Sequence, residues 1–213
     1  MEALTQRGQY AKGGIGKWFR DFRDDKVFSL LGKNWQRIID LGCGEGIILE
    51  KLVKGNPDKS CLGIDLTWES LKMSRHYQLP VIYGDISELG LKSESVDHCL
   101  LLDVIEHIDQ PEKVLEEVLR ILKPKGSLIV VFPNDAMFFL ARILFLKFKE
   151  AFYDPGHVQQ FRPKKMEALL KAKGFRVDRL MHLPFFIWPI SLYHVIQVRK
   201  EPGDVAKPKR SEG

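Results

Sequence analysis

Residues 38–52 read IIDLGCGEGIILEKL. An apolar run closes on Asp40 and Leu41, glycines follow at alternate positions (Gly42, Gly44, Gly46), and a helical pattern starts at once. No other stretch narrows the fold as much. A chain that turns from strand to helix this tightly needs backbone angles that glycine adopts at little cost. The turn leaves the first N–H groups of the helix, and the positive end of its dipole, open to a ligand. A strand, a binding loop and a helix are therefore predicted here, with the ligand at the carboxyl end of the strand.

The remainder of the chain repeats the strand–helix alternation. Apolar runs at Arg37–Cys43, Cys61–Leu66, Pro80–Tyr83, His98–Leu102 and Leu128–Phe132 alternate with helical patterns at Glu45–Lys54, Trp68–Tyr77 and Glu112–Leu122. In the last, Val114, Leu115, Val118, Leu119 and Leu122 share one helical face, with Glu116, Glu117 and Arg120 off it. The strand runs are apolar throughout, as when helices cover both faces of a parallel sheet. A doubly wound α/β fold follows. Lys123-Pro124-Lys125-Gly126 ends one helix and leads into the next strand. A helix is also predicted over 14–31, ahead of the first strand. Beyond Asn134, Asp135 caps an apolar helix to Lys149, then come the loop DPGHVQQFRP, a helix at Lys164–Lys173 stopped by Gly174, and strands at Phe175–Leu180 and Leu192–Val198. The expected organisation is an N-terminal helical cap over 1–34, a ligand-binding domain over 35–200 with a helical insertion at 135–160, and a polar, disordered tail over 201–213.

Composition removes several classes. The chain has 213 residues and a net charge of +5, spread without a run of five like charges, so nucleic acid is not the expected partner. The three cysteines, Cys43, Cys61 and Cys99, lie in or beside apolar strands and read as reduced packing residues. The polar start MEALTQRGQYAKGG is not a signal peptide, and no run of about 18 apolar residues exists. A cytoplasmic protein is expected.

The spacing G-x-G-x-G departs from the dinucleotide fingerprint G-x-G-x-x-G, with Ile47 where that pattern needs glycine. Asp65, closing CLGIDL, stands where a carboxylate accepts both ribose hydroxyls, a contact that NAD and other adenosine cofactors share. Strand three ends in Gly84-Asp85-Ile86, and an acid there can accept from an adenine amino group.

Taken in order, Asp40-Leu41-Gly42-Cys43-Gly44-Glu45-Gly46, Gly63-Ile64-Asp65, Gly84-Asp85-Ile86 and VDHCLLLDVIEHIDQPEKVLEEVLRILKPKGSLIVV resemble the class I S-adenosylmethionine (SAM)-dependent methyltransferases, most closely the small-molecule type that includes the quinone-biosynthesis enzymes. The later GHVQQFRPKKMEALLKAKGF is also similar to a segment of such enzymes. The resemblance implies SAM as cofactor and a Rossmann-like seven-stranded sheet with its last strand antiparallel. By it, Gly42, Cys43, Gly44 and Gly46 form the loop under the methionine and ribose, and Asp40 holds the methionyl amino group. Asp65 takes the ribose hydroxyls and Leu66 lies on the adenine. Asp85 and Ile86 read the adenine edge, and Leu102 and Asp103 flank the methionyl end. For Glu45, a contact to the amino group and a helix cap stand as equal readings.

Methyl transfer from a sulfonium is an in-line displacement, served mainly by alignment in a closed site. An oxygen acceptor must also lose a proton, and a histidine can take it. His107, after strand four, and His157, in the DPGHVQQF loop, are the candidates. His98 and His194 fall inside strands and read as structural. Glu106 and His107 have no third ligand at zinc spacing, so no metal is expected. The helix Asp135–Lys149 is more apolar than one buried face requires, yet too short to span a bilayer. Three roles remain open for it: core helix, lid over a hydrophobic acceptor, or peripheral contact with the inner membrane surface through Arg142, Lys147 and Lys149. With the aromatic LPFFIWPISLY (183–193), it favours a lipophilic or aromatic small-molecule acceptor, with O-methylation ahead of C-methylation. The alternatives are an NAD(P) oxidoreductase, a nucleic-acid methyltransferase and a SAM-binding module without catalysis. The sequence does not set the oligomeric state.

Overall fold

The computed structural model describes residues 7–8, 14–144, 158–185, 187 and 190–200. Its elements are α1 (Ile15–Leu31), β1 (Arg37–Leu41), α2 (Ile47–Gly55), β2 (Ser60–Asp65), α3 (Trp68–His76), β3 (Val81–Tyr83), β4 (Val96–Leu102), a 3₁₀ turn (Ile105–His107), α4 (Pro111–Ile121), β5 (Leu122–Pro133), α5 (Asp135–Leu144), α6 (Pro163–Ala172), β6 (Phe175–Leu183) and β7 (Tyr193–Lys200). The seven strands form one sheet in the order β3-β2-β1-β4-β5-β7-β6. β1 to β5 pair in parallel, and β7 runs antiparallel to both neighbours.

Alternation along the central strands feeds two cores. Ile39, Leu41, Cys99, Leu101, Leu128, Val130, Phe132, Ile196 and Val198 face α4 and α6, where Val114, Leu115, Val118, Met166 and Leu170 are buried. Ile38, Leu100, Ile129, Val131 and Val195 face α1 and α2, against Phe19, Val27, Leu49 and Leu52. Each buried aliphatic side chain stabilises the fold by about 1.5–3 kcal/mol, so both faces are firmly held. All three cysteines are free and buried, as packing residues should be.

Proline starts two helices where the first N–H has no partner anyway: Pro111 in α4 and Pro163 in α6. Gly174, at φ 86, stops the chain after α6.

Two strands differ from the sequence reading, and one predicted helix is described only in part. β5 begins at Leu122, not Leu128, because Leu122 already pairs with Val96 before the register shifts. Strand three is not a buried run: it is an edge of three residues with Ile82 and Tyr83 exposed. The helix from Asp135 is described to Leu144, and its predicted remainder lies outside the described residues.

Candidate active site

β1, β2 and β4 lie side by side, with Leu41 level with Ile64 on one side and Leu101 on the other. Their carboxyl ends therefore open onto one place. There the glycine loop is folded by its own backbone. Gly42 and Cys43 donate N–H bonds to the Ile64 carbonyl at 2.7 and 3.2 Å, Gly46 donates to Cys43 at 2.9 Å, and Glu50 donates to Gly46 to begin α2. Gly42, Gly44 and Gly46 have φ of 72°, 53° and 72°, a region costly for any residue with a Cβ. A methyl group on Gly42 would sit 2.5 Å from a Val104 methyl, and one on Gly46 2.5 Å from Leu79 Cδ1.

Asp65 latches this loop. One oxygen accepts from the Gly44 N–H at 2.7 Å, the other from the Thr67 N–H at 2.7 Å. Each carboxylate oxygen has a second acceptor direction, so Asp65 can hold the loop and still accept from ribose hydroxyls. Asp40 is buried, and burial, with Asp65 and Asp24 nearby, pushes its carboxyl up to about 7. A neighbouring cation would relieve that cost. Leu66 leaves the end of β2 fully in the open, 58% exposed, as an apolar platform. Asp85 is exposed, with one oxygen held by the Ser87 N–H and hydroxyl, which keep its carboxyl below the ordinary range. Ile86 beside it is half-buried.

After β4 the backbone bends sharply. Asp103 takes φ 56°, unusual for a residue with a side chain, and its N–H donates to the Val131 carbonyl at 3.0 Å. Arg23 of α1, itself buried, pairs with one Asp103 oxygen and with Asp24. The other Asp103 oxygen is buried without a hydrogen-bond partner. Lys51 of α2 closes the network on Asp24 at 2.7 Å and Asp21 at 3.0 Å. Leu102 is half-buried just before this bend.

Sequence reasoning did not find Arg23, because its partner Asp103 lies 80 residues away. It met Glu106 only as half of a discarded metal pair. In the structure Glu106 is 2% exposed, and neither carboxyl oxygen has a hydrogen-bond partner. Burial, then Asp103 and Asp135, push its carboxyl up to about 8, with Arg23 opposing. Its carbonyl is sealed by the N–H groups of Val158 and Gln159. The sequence signal was an acid between Ile105 and Ile108, directly after a buried strand. His107 sits on the exposed side of the same turn. His157 lies outside the described residues. Cys43 contributes from below the loop, its sulfur packed against Gly63. Glu45 does not cap α2: one of its oxygens accepts from the Arg7 backbone N–H at 2.8 Å.

These residues fit SAM. The unpartnered Asp103 oxygen and the buried Asp40 suit a ligand that carries an ammonium and a sulfonium. The cradle at Gly42 and Gly46 has no room for a Cβ and leaves backbone as the ligand-facing surface.

The comparisons agree. A family profile described as "Methyltransferase domain" matches residues 39–130. A probable S-adenosylmethionine-dependent methyltransferase from Mycolicibacterium smegmatis is 26% identical over 183 residues, covering 83% of this chain and 67% of the relative. The mitochondrial ubiquinone biosynthesis O-methyltransferase of Rattus norvegicus is 28% identical, covering 67% of this chain and 45% of the relative. The chain spans about half the length of most curated relatives it matches. A solved SAM-dependent methyltransferase from Archaeoglobus fulgidus shares the fold with a TM-score of 0.67 at 16% identity, over 87% of this chain and 98% of that one. Seven strands in this order, the Gly42–Gly46 loop latched to Asp65, and the profile match lead to one conclusion: residues 39–130 match a methyltransferase domain, in a chain similar to SAM-dependent methyltransferases.

Proposed function

We propose that this chain methylates a hydroxyl oxygen of a small apolar or aromatic acceptor. The observation that carries the reading is Glu106: a buried, unpartnered carboxyl at the carboxyl end of β4, beside the residues that suit the cofactor's cationic end. A bound SAM supplies an electrophilic methyl group on a sulfonium. The chain supplies alignment and a proton acceptor. Arg23 and the bend at Asp103 hold the methionyl side of the site in place. A hydroxyl must shed its proton as it reacts, and a carboxyl raised to about 8 is matched to that task near neutral pH. His107 on the same turn, and His157, stand as further proton acceptors. The two O-methyltransferases among the relatives, for ubiquinone biosynthesis and for malonyl-[acyl-carrier protein], act on oxygen.

The apolar character of the acceptor rests on surface chemistry. Phe139 and Leu140 of α5 are exposed, as are Phe185, Ile187 and Ile190 ahead of β7. The two segments are tied together: Asn134 donates its N–H to Leu192 at 2.8 Å and its side-chain amide to Ser191 at 3.0 Å. A surface of this kind suits a lipophilic acceptor or the face of a membrane. No helix among the described residues is long and apolar enough to cross one.

The test is methyl incorporation from labelled SAM into a panel of phenols, catechols and aliphatic alcohols, with amines alongside. Oxygen-methylated products, lost on Glu106→Gln with S-adenosylhomocysteine (SAH) binding retained, are expected. Product on nitrogen alone, or full activity in the variant, would remove the reading.

A further inference from the structure

A cavity of about 430 Å³ opens between the carboxyl end of β5 and the first turn of α6. Its size is that of a small-molecule pocket. Asn134 and Asp135 form one wall, Phe161, Arg162 and Lys165 the other, and His194 of β7 is part of its lining. It adjoins the methyl-transfer side of the molecule. The N–H groups of Val158 and Gln159 bond to the Glu106 carbonyl, and the chain then runs straight into Phe161 and Arg162. Asp135 is close enough to raise the Glu106 carboxyl.

Three features of this cavity ask for an anion. The first is the start of α6. Its first intrahelical bond is Met166 N–H to the Arg162 carbonyl, and no side chain caps the helix. The N–H groups of Lys164 and Lys165 therefore precede the helix's own bonding, where a negative charge is favoured. The second is charge: the lining holds two cations, Arg162 and Lys165, and one carboxylate, Asp135. The third is His194. It is 1% exposed, yet lines the cavity. Its Nδ1 lies 2.9 Å from Nδ1 of His182, its register partner across β6 and β7. One ring must donate and the other accept. Burial keeps His194 uncharged, its pKa down at about 4, so it meets the cavity as a neutral polar group beside the two cations.

We propose that this cavity holds a carboxylate on the methyl acceptor, so that the acceptor is an apolar or aromatic acid whose head group binds Arg162 and Lys165 beside His194. The inference rests on the function proposed above and names its acceptor class. Phe161 and the exposed apolar residues of α5 then receive the body of the same molecule, and the head group fixes which hydroxyl reaches the site.

The test is calorimetry on the full chain saturated with SAH, titrated with benzoate, 4-hydroxybenzoate and octanoate and with the amide of each. Arg162→Gln and Lys165→Gln are compared with Lys164→Gln. All three side chains are exposed, so the fold tolerates their loss, and Lys164 lies outside the cavity lining. At least one carboxylate should bind at one site per chain and roughly tenfold tighter than its amide. Arg162→Gln and Lys165→Gln should each erase roughly that factor, and Lys164→Gln should not. Equal binding of acids and amides, no carboxylate binding, or equal losses in all three variants would overturn the inference. Failure to bind SAH would instead bring down the reading beneath it, and the inference with it.

Discussion

The two sides of the cleft are built from different materials. On the cofactor side, at the ends of β1, β2 and β4, the ligand surface is backbone: a glycine loop bonded to Ile64, latched by Asp65 and wedged against Val104. Its charges are tied to one another through buried Arg23 and Asp24 and half-buried Lys51. On the proposed acceptor side, around α5, the start of α6 and the loop before β7, the surface is side chains, many exposed and apolar, with cations at one end. The first side offers almost no room for substitution. The second can change residue by residue while the sheet beneath stays as it is. A fold that keeps one cofactor and serves many acceptors needs this division.

The contrast can be broken from either side. The largest effect is expected at Arg23. Arg23→Met takes the buried guanidinium from buried Asp24, which keeps only Lys51, and from half-buried Asp103, and should lower the unfolding free energy by about 3 kcal/mol, the low end for a broken buried pair, read by urea denaturation. Next is Gly42→Ala. The left-handed backbone costs roughly 1–2 kcal/mol, and the clash with Val104 adds on the order of 1–3 kcal/mol. SAH binding should fall beyond detection in calorimetry, even in the fraction that folds.

A smaller effect concerns pH. The carboxyls of Glu106, raised to about 8, and Asp40, raised to about 7, hold protons in the fold that they release on unfolding. The folded chain therefore binds more protons than the unfolded one between the ordinary carboxyl range and pH 8. Stability should fall as pH rises across that window, by at most about 1.4 kcal/mol per unit for each group. Glu106→Gln should flatten the decline, and thermal melts from pH 5 to 9 would show it. The smallest structural effect belongs to the acceptor side. Leu140→Ser, Phe185→Ser and Ile187→Ser should each change stability by no more than about 0.5 kcal/mol. Together they should abolish flotation with anionic phosphatidylglycerol vesicles, if wild type floats. Failure of wild type to float would remove membrane contact from the account.

The same division explains what was legible in the sequence. The cofactor side is local: Asp40 to Gly46 is one continuous stretch, Asp65 closes β2, Asp85 follows two residues after β3, and a parallel sheet brings such ends together. Residues whose role depends on distant chain were not legible. Arg23 acquires its meaning from Asp103, and nothing in IGKWFRDFRDD points to it. The turn that holds Glu106 is tied by its backbone carbonyl to residues 158 and 159, about fifty positions on. Glu45, read equally as a cofactor contact or a helix cap, does not cap α2 and holds Arg7, a contact made by a segment with no periodic signal of its own. His194 was read as structural from its place in a strand. The pairing with His182 is a matter of β6–β7 register, which a single sequence does not display.

The central claim is that the glycine loop and Asp65 form a SAM site. It is tested most directly by calorimetric titration of the full chain with SAH and, separately, with NADH, for wild type and Asp65→Ala. The account predicts one SAH site per chain at micromolar affinity, weakened at least tenfold in the variant, and no NADH binding. Binding of NADH in preference to SAH, or SAH affinity unchanged in Asp65→Ala, would contradict it.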